Sequence, residues 1–288
     1  MIAALALLPA LLAAGPPSVP GDRYEPEALA VVEEMTRAMA GVRDYTMTLV
    51  KRELFGKELA PEERFLVKWQ RPQRIYLKEI AGPREGQEVI YAPGWNKGRL
   101  KAHKGGFPDF TVNLDPRGRL AMGHAHHPIL DVSVPHLVAV VADNLARARA
   151  KGVGTIKVAG REELFGIPAV RIEVTAPATG TSPTLAPGQT LWDLADATGQ
   201  SMYVILHANA WRGWTQADHP QPGDAVIVPE FYAGRMTLWV DEKLELPVQV
   251  DLYDHEGRLY EHYEHHDLKI DVGLGDSDFD PKNPAYNF

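Results

Sequence analysis

Histidines and carboxylates are clustered in this chain in patterns that could bind a metal ion or catalyse a reaction. His124, His126 and His127 lie within four residues. Imidazole is a common metal ligand, and residues two apart on an extended segment point to the same side, which would pair His124 with His126. A second group near the C-terminus could add ligands: Glu261, His262, Glu264, His265, His266 and Asp267. We favour the alternative, a solvated polar segment and an exposed strand face, so no metal site is predicted.

Paired carboxylates would indicate glycoside cleavage, which generally uses two Asp or Glu residues held about 5–10 Å apart. The candidates are Glu53, Glu58, Glu62, Glu63, Glu242 and Glu245. Their spacing singles out no pair, so solvated or ion-paired surface carboxylates are the simpler interpretation. The sequence also lacks a GxSxG, an HExxH and a glycine-rich phosphate loop. We therefore predict no catalytic residue and no cofactor.

Composition restricts the classes of function further. The chain has 288 residues, of which 45% are hydrophobic and 24% charged, as in a globular protein. Its net charge of −8 gives no electrostatic footprint for nucleic acid. It has no cysteine, which excludes disulfides, thiol nucleophiles and cysteine-ligated zinc.

The first 20 residues are predicted to be a signal peptide and linker. Residues 1–14 are apolar and carry no charged side chain, and the run is too short to cross a membrane. Such a run is typical of a secretory signal, cleaved here near Ala14 or Gly15. We therefore expect the protein in the periplasm or secreted, with no transmembrane span.

The elements that would position the polar groups form two sets. Pro26 suits the first turn of a helix that places Leu29, Val32 and Met35 on one face. Ser133 and Pro135 start a second helix, predicted over residues 134–150. Alternating segments separated by turn signals predict antiparallel strands at residues 45–52, 65–69, 74–78, 88–91, 98–103, 155–159, 169–175, 236–240, 246–253 and 259–265. The strands before residue 176 cannot bury a core alone, and neither can the strands after residue 231. We therefore predict one α+β domain, residues 25–178 plus 231–288, whose antiparallel sheet is interrupted at a hairpin tip.

The interruption, residues 184–229, has its own pattern. Thr190 can cap a short helix that Gly199 ends in a left-handed conformation. Ser201 caps a second helix, and the Pro222-Gly223 turn leads into a strand at residues 225–228. The apolar positions of the two helices are Leu191, Leu194, Ala195, Val204, Ile205 and Ala208. With a short leading strand at Thr184 and Leu185, the order is strand, helix, helix, strand.

This stretch resembles the LysM module, a small βααβ carbohydrate-binding domain. The matching residues are Gly188, Gln189, Thr190, Leu191, Trp192, Asp193, Leu194, Ala195, Asn209, Pro222, Gly223, Asp224, Val226, Ile227, Val228 and Pro229. The family usually has Asp where Gln189 stands. It binds glycans built on N-acetylglucosamine, such as peptidoglycan and chitin, in a groove between two loops.

The resemblance implies which residues bind the glycan. One loop would supply Gly188, Gln189, Thr190 and Leu191, and it would face Pro222, Gly223 and Asp224. A glycine-containing turn lets the backbone approach a ligand closely. Trp211 and Trp214 could stack on a sugar face. The alternative is that they pack the small core, which we favour for Trp192.

The remaining residues, 25–178 and 231–288, resemble a family of bacterial envelope proteins of unknown function. That family is similar to the lipoprotein carrier and receptor (LolA/LolB-like) fold, a curved half-barrel sheet with helices in its mouth. Residues 50–53, 114–122 and 278–288 carry the resemblance. It implies no catalytic residues.

A half-barrel could hold acyl chains against its concave face. We expect that face to carry Leu66, Trp69, Tyr76, Val89, Tyr91, Trp239, Val248 and Tyr260. The alternative is that the helix at residues 134–150 fills the space. The leading hypothesis is a non-enzymatic envelope protein that binds peptidoglycan through the module and a lipid-like or protein ligand through the half-barrel. The alternatives are a glycan hydrolase targeted by the module and a structural partner in an envelope complex.

Overall fold

The computed structural model describes residues 23–288. The predicted signal peptide and linker, residues 1–20, lie outside them. The helices are α1 (Pro26–Gly41), α2 (Arg119–Met122), α3 (Val134–Lys151), α4 (Leu191–Thr198) and α5 (Met202–Ala208). The strands are β1 (Asp44–Phe55), β2 (Glu58–Leu59), β3 (Glu63–Gln70), β4 (Arg74–Ala81), β5 (Glu88–Tyr91), β6 (Leu100–His103), β7 (Thr111–Leu114), β8 (Thr155–Leu164), β9 (Ile167–Thr175), β10 (Gly180–Thr181), β11 (Val228–Pro229), β12 (Arg235–Asp241), β13 (Pro247–Tyr253) and β14 (Leu259–Ile270).

One long sheet organises the molecule. Its strand order is β7-β6-β5-β4-β3-β1-β14-β13-β12-β9-β8, every neighbouring pair is antiparallel, and β2 adds to β1. The N-terminal strands therefore meet the C-terminal ones where β1 pairs with β14. This confirms the predicted fold class, a curved antiparallel half-barrel sheet with packed helices.

Two helices pack against each other and cover the concave face. In α1, Val32 and Met35 of the predicted apolar face are buried, whereas Leu29 is half-buried. In α3 the Ser133 hydroxyl accepts a hydrogen bond from the His136 backbone N–H at 3.2 Å. Gly152 ends that helix with a φ of 66°, a conformation that costs glycine little. The two helices and the sheet share one apolar core.

The chain leaves the sheet between two paired strands. Thr175 at the end of β9 pairs with Arg235 at the start of β12, so residues 176–234 protrude from a hairpin. They contain α4, α5 and the two-stranded sheet β10–β11 around a separate apolar cluster. The predicted strand at Thr184 and Leu185 is wrong in extent: Thr184 forms only an isolated bridge with Ala225. Pro183, which has no N–H to donate, separates that bridge from β10.

The predicted concave face was partly right: Trp69, Tyr91 and Tyr260 are buried in the apolar core that the sheet shares with the helices. Of the eight residues, only Val89 lines the cavity described below. Leu66 is 44% exposed, and Tyr76 packs outward against Tyr286 of the C-terminal tail, with ring centroids 3.9 Å apart. Successive side chains of a strand alternate between faces, so a register error of one residue exchanges the inner and outer sets. In β3 the cavity is lined by Phe65 and Val67 instead.

Candidate functional site

A cavity of about 270 Å³ lies between the sheet and its helical cover. This is close to the lower end of the roughly 300–1,000 Å³ found for small-molecule sites. The apolar floor comes from β1 and β3 to β7, and includes Met47, Leu49, Phe65, Val67, Leu77, Val89, Leu100, Ala102 and Leu114. The cover comes from α2, the segment after it, and the first turns of α3. The helix at residues 134–150 therefore covers the concave face without filling it.

One wall of the cavity is polar. Six residues form what we call the acid–histidine cluster: Glu53, Glu261, His126, His127, Tyr232 and Tyr263. All except His126 line the cavity directly. The cavity is therefore amphipathic, with an apolar floor and a compact charged wall.

The pairing of β1 with β14 explains why the cluster exists. Glu53 and Glu261 face each other directly across these strands, and both are almost completely buried. Two buried carboxylates at such close range would repel strongly unless cations and hydrogen-bond donors surround them. The segment between α2 and α3 supplies these groups.

His126 joins the two carboxylates. Its Nδ1 lies 2.8 Å from the Glu261 carboxylate, its Nε2 lies 2.9 Å from the Leu54 carbonyl oxygen, and its backbone N–H donates to Glu53 at 3.2 Å. Both ring nitrogens therefore face hydrogen-bond acceptors. Rings stack on each side of it, Tyr203 at 4.8 Å and Tyr260 at 4.6 Å.

Tyrosine hydroxyls complete the cluster. The Tyr232 hydroxyl donates to Glu261 at 2.8 Å and lies 3.0 Å from His127 Nε2. The Tyr263 hydroxyl donates to Glu53 at 2.8 Å. Burial, with the nearby charge of Glu261, raises the pKa of both tyrosines far above the usual value, so both remain protonated donors.

The cluster holds its carboxylates ionised. Burial alone would raise the pKa of Glu261, but His127 and His126 lower it well below its usual value. Burial would also raise the pKa of Glu53, and Lys51 with His126 lowers it. For His127, burial opposes the positive charge, but Glu261 raises its pKa above the usual value.

Lys51 extends the charged wall. Its Nζ lies 2.9 Å from Glu53 and 3.0 Å from Glu63, and Arg84 also pairs with Glu63. Burial would lower the pKa of Lys51, but Glu53 and Glu63 raise it. Lys51 and Arg84 both line the cavity, so a ligand would meet cations as well as carboxylates there.

The cluster corrects the prediction of a solvated polar segment. His126 is 1% exposed, and His127 lies against Glu261 at 3.5 Å. His124 is exposed and does not join them; partial desolvation and the charge of Arg84 lower its pKa. Glu53 is likewise no surface carboxylate. Within residues 23–288, no three His, Asp or Glu side chains converge in a way that could hold a metal ion.

The predicted glycan-binding loops lie at the same end of the module. Leu185, just before the first loop, donates from its backbone N–H to Asp224 and accepts from Gly223, both at 2.9 Å. Gly188 and Gly223 are exposed with positive φ values of 81° and 94°, and no heavy atom lies within 4 Å of where a Cβ would stand. Open backbone is therefore available at both turns.

The other predicted glycan-binding residues divide between surface and core. Gln189 and Pro222 are exposed, whereas the Leu191 side chain is fully buried and its N–H donates to Ala217 at 3.0 Å. Thr190 is the N-cap of α4, and both its N–H and its hydroxyl donate to the Asp193 carboxylate.

The tryptophans also differ from each other. Trp211 is 71% exposed, whereas Trp214 is half-buried against the module core. The guanidinium of Arg212 lies 4.5 Å from the Trp211 ring centroid and 5.0 Å from that of Trp214. Trp192 packs partly on the core and partly under Arg117, at 4.7 Å.

The module contacts the cover of the cavity. Tyr203 of α5 stacks on His126, and its hydroxyl donates to the Met122 carbonyl at 2.9 Å. Arg117, which precedes α2, forms two hydrogen bonds with Asp196 of α4, at 2.7 and 2.9 Å. The module thus holds the segment that closes the cavity.

The sequence pattern grouped His126, His127 and Glu261 only as possible ligands of a metal site, and it placed Glu53 only among candidate catalytic carboxylates. The signal that could have brought the four together is the pairing of β1 with β14, which sets Glu53 opposite Glu261. That pairing joins residues about 200 positions apart, and no local pattern specifies it.

The fold and cavity define a half-barrel protein with an amphipathic internal site. The family model for DUF1571, a protein family of unknown function, matches residues 42–211 and 213–288. The chain belongs to that family. No curated protein matches the chain.

Solved structures show distant likenesses. A crystal structure of MucB is 14% identical, with a TM-score of 0.44, and the match covers 89% of this chain and 63% of MucB. This chain thus spans less than two thirds of the length of MucB. The Mycobacterium tuberculosis lipoprotein LppX is 13% identical, with a TM-score of 0.43, over 87% of this chain and 98% of LppX. At these values neither protein identifies what this chain binds.

Proposed function

We propose that this protein is a non-enzymatic cell-envelope protein of the periplasm. Its half-barrel cavity binds a lipid-like ligand, and its module binds an N-acetylglucosamine glycan such as peptidoglycan. The observation that carries the proposal is the amphipathic cavity, where an apolar floor meets the acid–histidine cluster. Within residues 23–288, no helix has both the length and the apolar character needed to span a bilayer.

The floor suits an acyl chain. Each buried methylene contributes about 0.8 kcal/mol, so about eight methylenes contribute about 6 kcal/mol before the cost of association. A polar head would lie against the wall, beside the cations Lys51 and Arg84. The acyl chain of such a ligand would contact the apolar floor, and its polar head would contact the charged wall.

The chemistry of the wall argues against hydrolysis. Glycoside cleavage requires one carboxylic acid that is protonated near neutral pH, which requires a raised pKa. In Glu53 and Glu261 the neighbouring cations lower the pKa instead, and histidine and tyrosine donors already occupy the carboxylate oxygens. Neither carboxyl is available as a general acid.

A cavity-filling substitution tests the lipid site. Ala121 of α2 lines the cavity, so Ala121→Trp would occupy the space of the chain. We expect a dansyl-labelled fatty acid to bind the parent protein with enhanced fluorescence and to bind Ala121→Trp at least about tenfold more weakly. Ala197→Trp, on the exposed surface of α4, is the matched control. Equal binding by all three proteins would contradict the proposal.

The glycan site is supported by the two open turns at the same end of the module and by the exposed ring of Trp211. The test is calorimetry of the full chain with N-acetylglucosamine oligomers, followed by retention on purified sacculi. We expect Trp211→Ala to reduce both, with Phe165→Ala, an exposed aromatic in the β8–β9 turn, as control. No heat of binding and no retention of the parent protein would exclude the glycan site.

A further inference from the structure

The hairpin between β6 and β7 carries bulky apolar side chains into solvent. Phe107 at its tip is 96% exposed, and Phe110 is 45% exposed. β7 is the edge strand of the long sheet, so the tip projects from the rim of the half-barrel. An exposed pair of aromatic rings on a projecting tip is typical of a site that binds a protein partner or a membrane.

The same segment is strongly basic. Residues 96–110 contain Lys97, Arg99, Lys101 and Lys104 but only one carboxylate, Asp109, in a chain of net charge −8. Within the part of the chain that the structure describes, none of the four cations forms an ion pair. Two aromatic rings flanked by uncompensated cations match the interfacial region of an anionic bilayer, where rings insert at headgroup depth and cations meet phosphate.

The hairpin also lies at the rim of the cavity. Leu100 and Ala102 of β6 line the cavity, so Lys101 between them points to the outer face. Gly105 packs closely on the β4–β5 turn: a Cβ there would lie 2.4 Å from the carbonyl carbon of Gly86. Arg84 and Gln87, which flank that glycine, line the cavity.

We propose that the β6–β7 hairpin docks the protein on an anionic lipid surface. Phe107 inserts among the headgroups, and Lys101 and Lys104 contact lipid phosphates. Lys104 is already placed beside the tip: its Nζ donates to the Phe107 carbonyl at 3.3 Å and lies 5.8 Å from the Phe110 ring centroid. Docking brings the cavity rim to the membrane, but it requires no ligand in the cavity and no glycan on the module.

The absence of cysteine allows a direct test of insertion. Phe107→Cys provides one thiol for an environment-sensitive NBD label in an otherwise unlabelled chain. We expect a blue shift and increased emission with vesicles of phosphatidylglycerol and phosphatidylcholine, and neither with phosphatidylcholine alone. Phe165→Cys, at the tip of the β8–β9 hairpin, is the matched control and should give no change. An unchanged Phe107→Cys signal, or equal responses at both positions, would overturn the proposal.

A charge reversal tests the electrostatic part. The double variant Lys101→Glu, Lys104→Glu should bind the anionic vesicles at least about tenfold more weakly in flotation assays. Lys57→Glu, an exposed lysine in the β1–β2 turn, should differ from the parent by less than about threefold. Circular dichroism checks that each variant is folded. If Lys57→Glu weakens binding as much as the double variant, the hairpin is not the docking surface.

Discussion

The half-barrel and the module place their polar side chains in opposite ways. In the half-barrel, Glu53 and Glu261 are buried, and His126 forms hydrogen bonds with both of them in the absence of a ligand. In the module, the candidate ligand-binding groups lie on the surface, at the Gly188 and Gly223 turns and on Trp211. In the half-barrel, the polar groups of the site also stabilise the fold. In the module, the candidate site lies on the surface and the core does not depend on it.

This difference has a consequence for mutation. Substitutions in the acid–histidine cluster should affect folding and binding together, because the same hydrogen bonds serve both. Substitutions on the exposed surface of the module should affect binding alone.

The largest effect is expected for Glu261→Ala. Removing this carboxylate leaves His126 and His127 buried without their anion, and deleting one member of a buried ionic pair costs about 3–5 kcal/mol. Urea denaturation should therefore show a large loss in the free energy of unfolding. Glu256→Ala, at an exposed turn, should change it by less than about 0.5 kcal/mol. A loss below about 1 kcal/mol for Glu261→Ala would contradict a cluster that stabilises the fold.

The next effect concerns pH. Burial lowers the pKa of His265 to about 4, although its Nδ1 donates to the Pro247 carbonyl at 2.7 Å. Below about pH 6.5, His265 takes up a proton in the unfolded chain but not in the folded protein. The contribution of His265 to the free energy of unfolding therefore falls as the pH drops from about 6.5 to 4. The whole shift corresponds to about 3 kcal/mol. His265→Asn keeps a donor but cannot titrate, so it should be less sensitive to acid than the parent over this range; parallel pH profiles would refute the assignment.

A smaller loss is expected in the module core. Asn209 is fully buried; its side-chain amide donates to the carbonyls of Ile205 and Ile227, and its side-chain oxygen accepts from the Ile227 N–H. Asn209→Ala leaves these backbone groups unpaired, at a cost of about 1–3 kcal/mol. Hydrogen exchange should locate the lost protection in residues 184–229. Uniform loss across the long sheet would show that the two regions unfold as one unit.

The smallest effect on stability is expected for Trp211→Ala. The ring is exposed and lies beside Arg212, so the free energy of unfolding should change by less than about 0.5 kcal/mol. Retention on sacculi should nevertheless fall several-fold. Strong destabilisation of this variant would show that Trp211 packs in the core of the module and not on its surface.

Local patterns predicted much of the fold. The apolar face of α1, the Ser133 start of α3, and the Gly199 cap of α4 follow from side-chain spacing and from residues that satisfy helix ends. The sequence predicts every strand of the long sheet except β2 and β7. β2 has only two residues, and β7 lies at the edge beside the glycine-rich tip of its hairpin, so neither has a long alternating pattern.

The site was harder to predict because it depends on pairing between distant segments. Whether Phe65 or Leu66 faces the cavity depends on strand register, which alternation alone cannot fix when both residues are apolar. His126 is polar and lies in an irregular segment, so it was predicted to be solvated. The pairing of Glu53 with Glu261 places two carboxylates in the interior, and His126 is buried because it hydrogen-bonds to them.

Native mass spectrometry of the protein purified from its own cell envelope would show whether the cavity carries a lipid. We expect a population whose added mass is that of an acyl-chain lipid, and the loss of that population in Ala121→Trp but not in Ala197→Trp. A parent protein that carries only its own mass, and that takes up no lipid when mixed with an envelope lipid extract, would contradict this expectation.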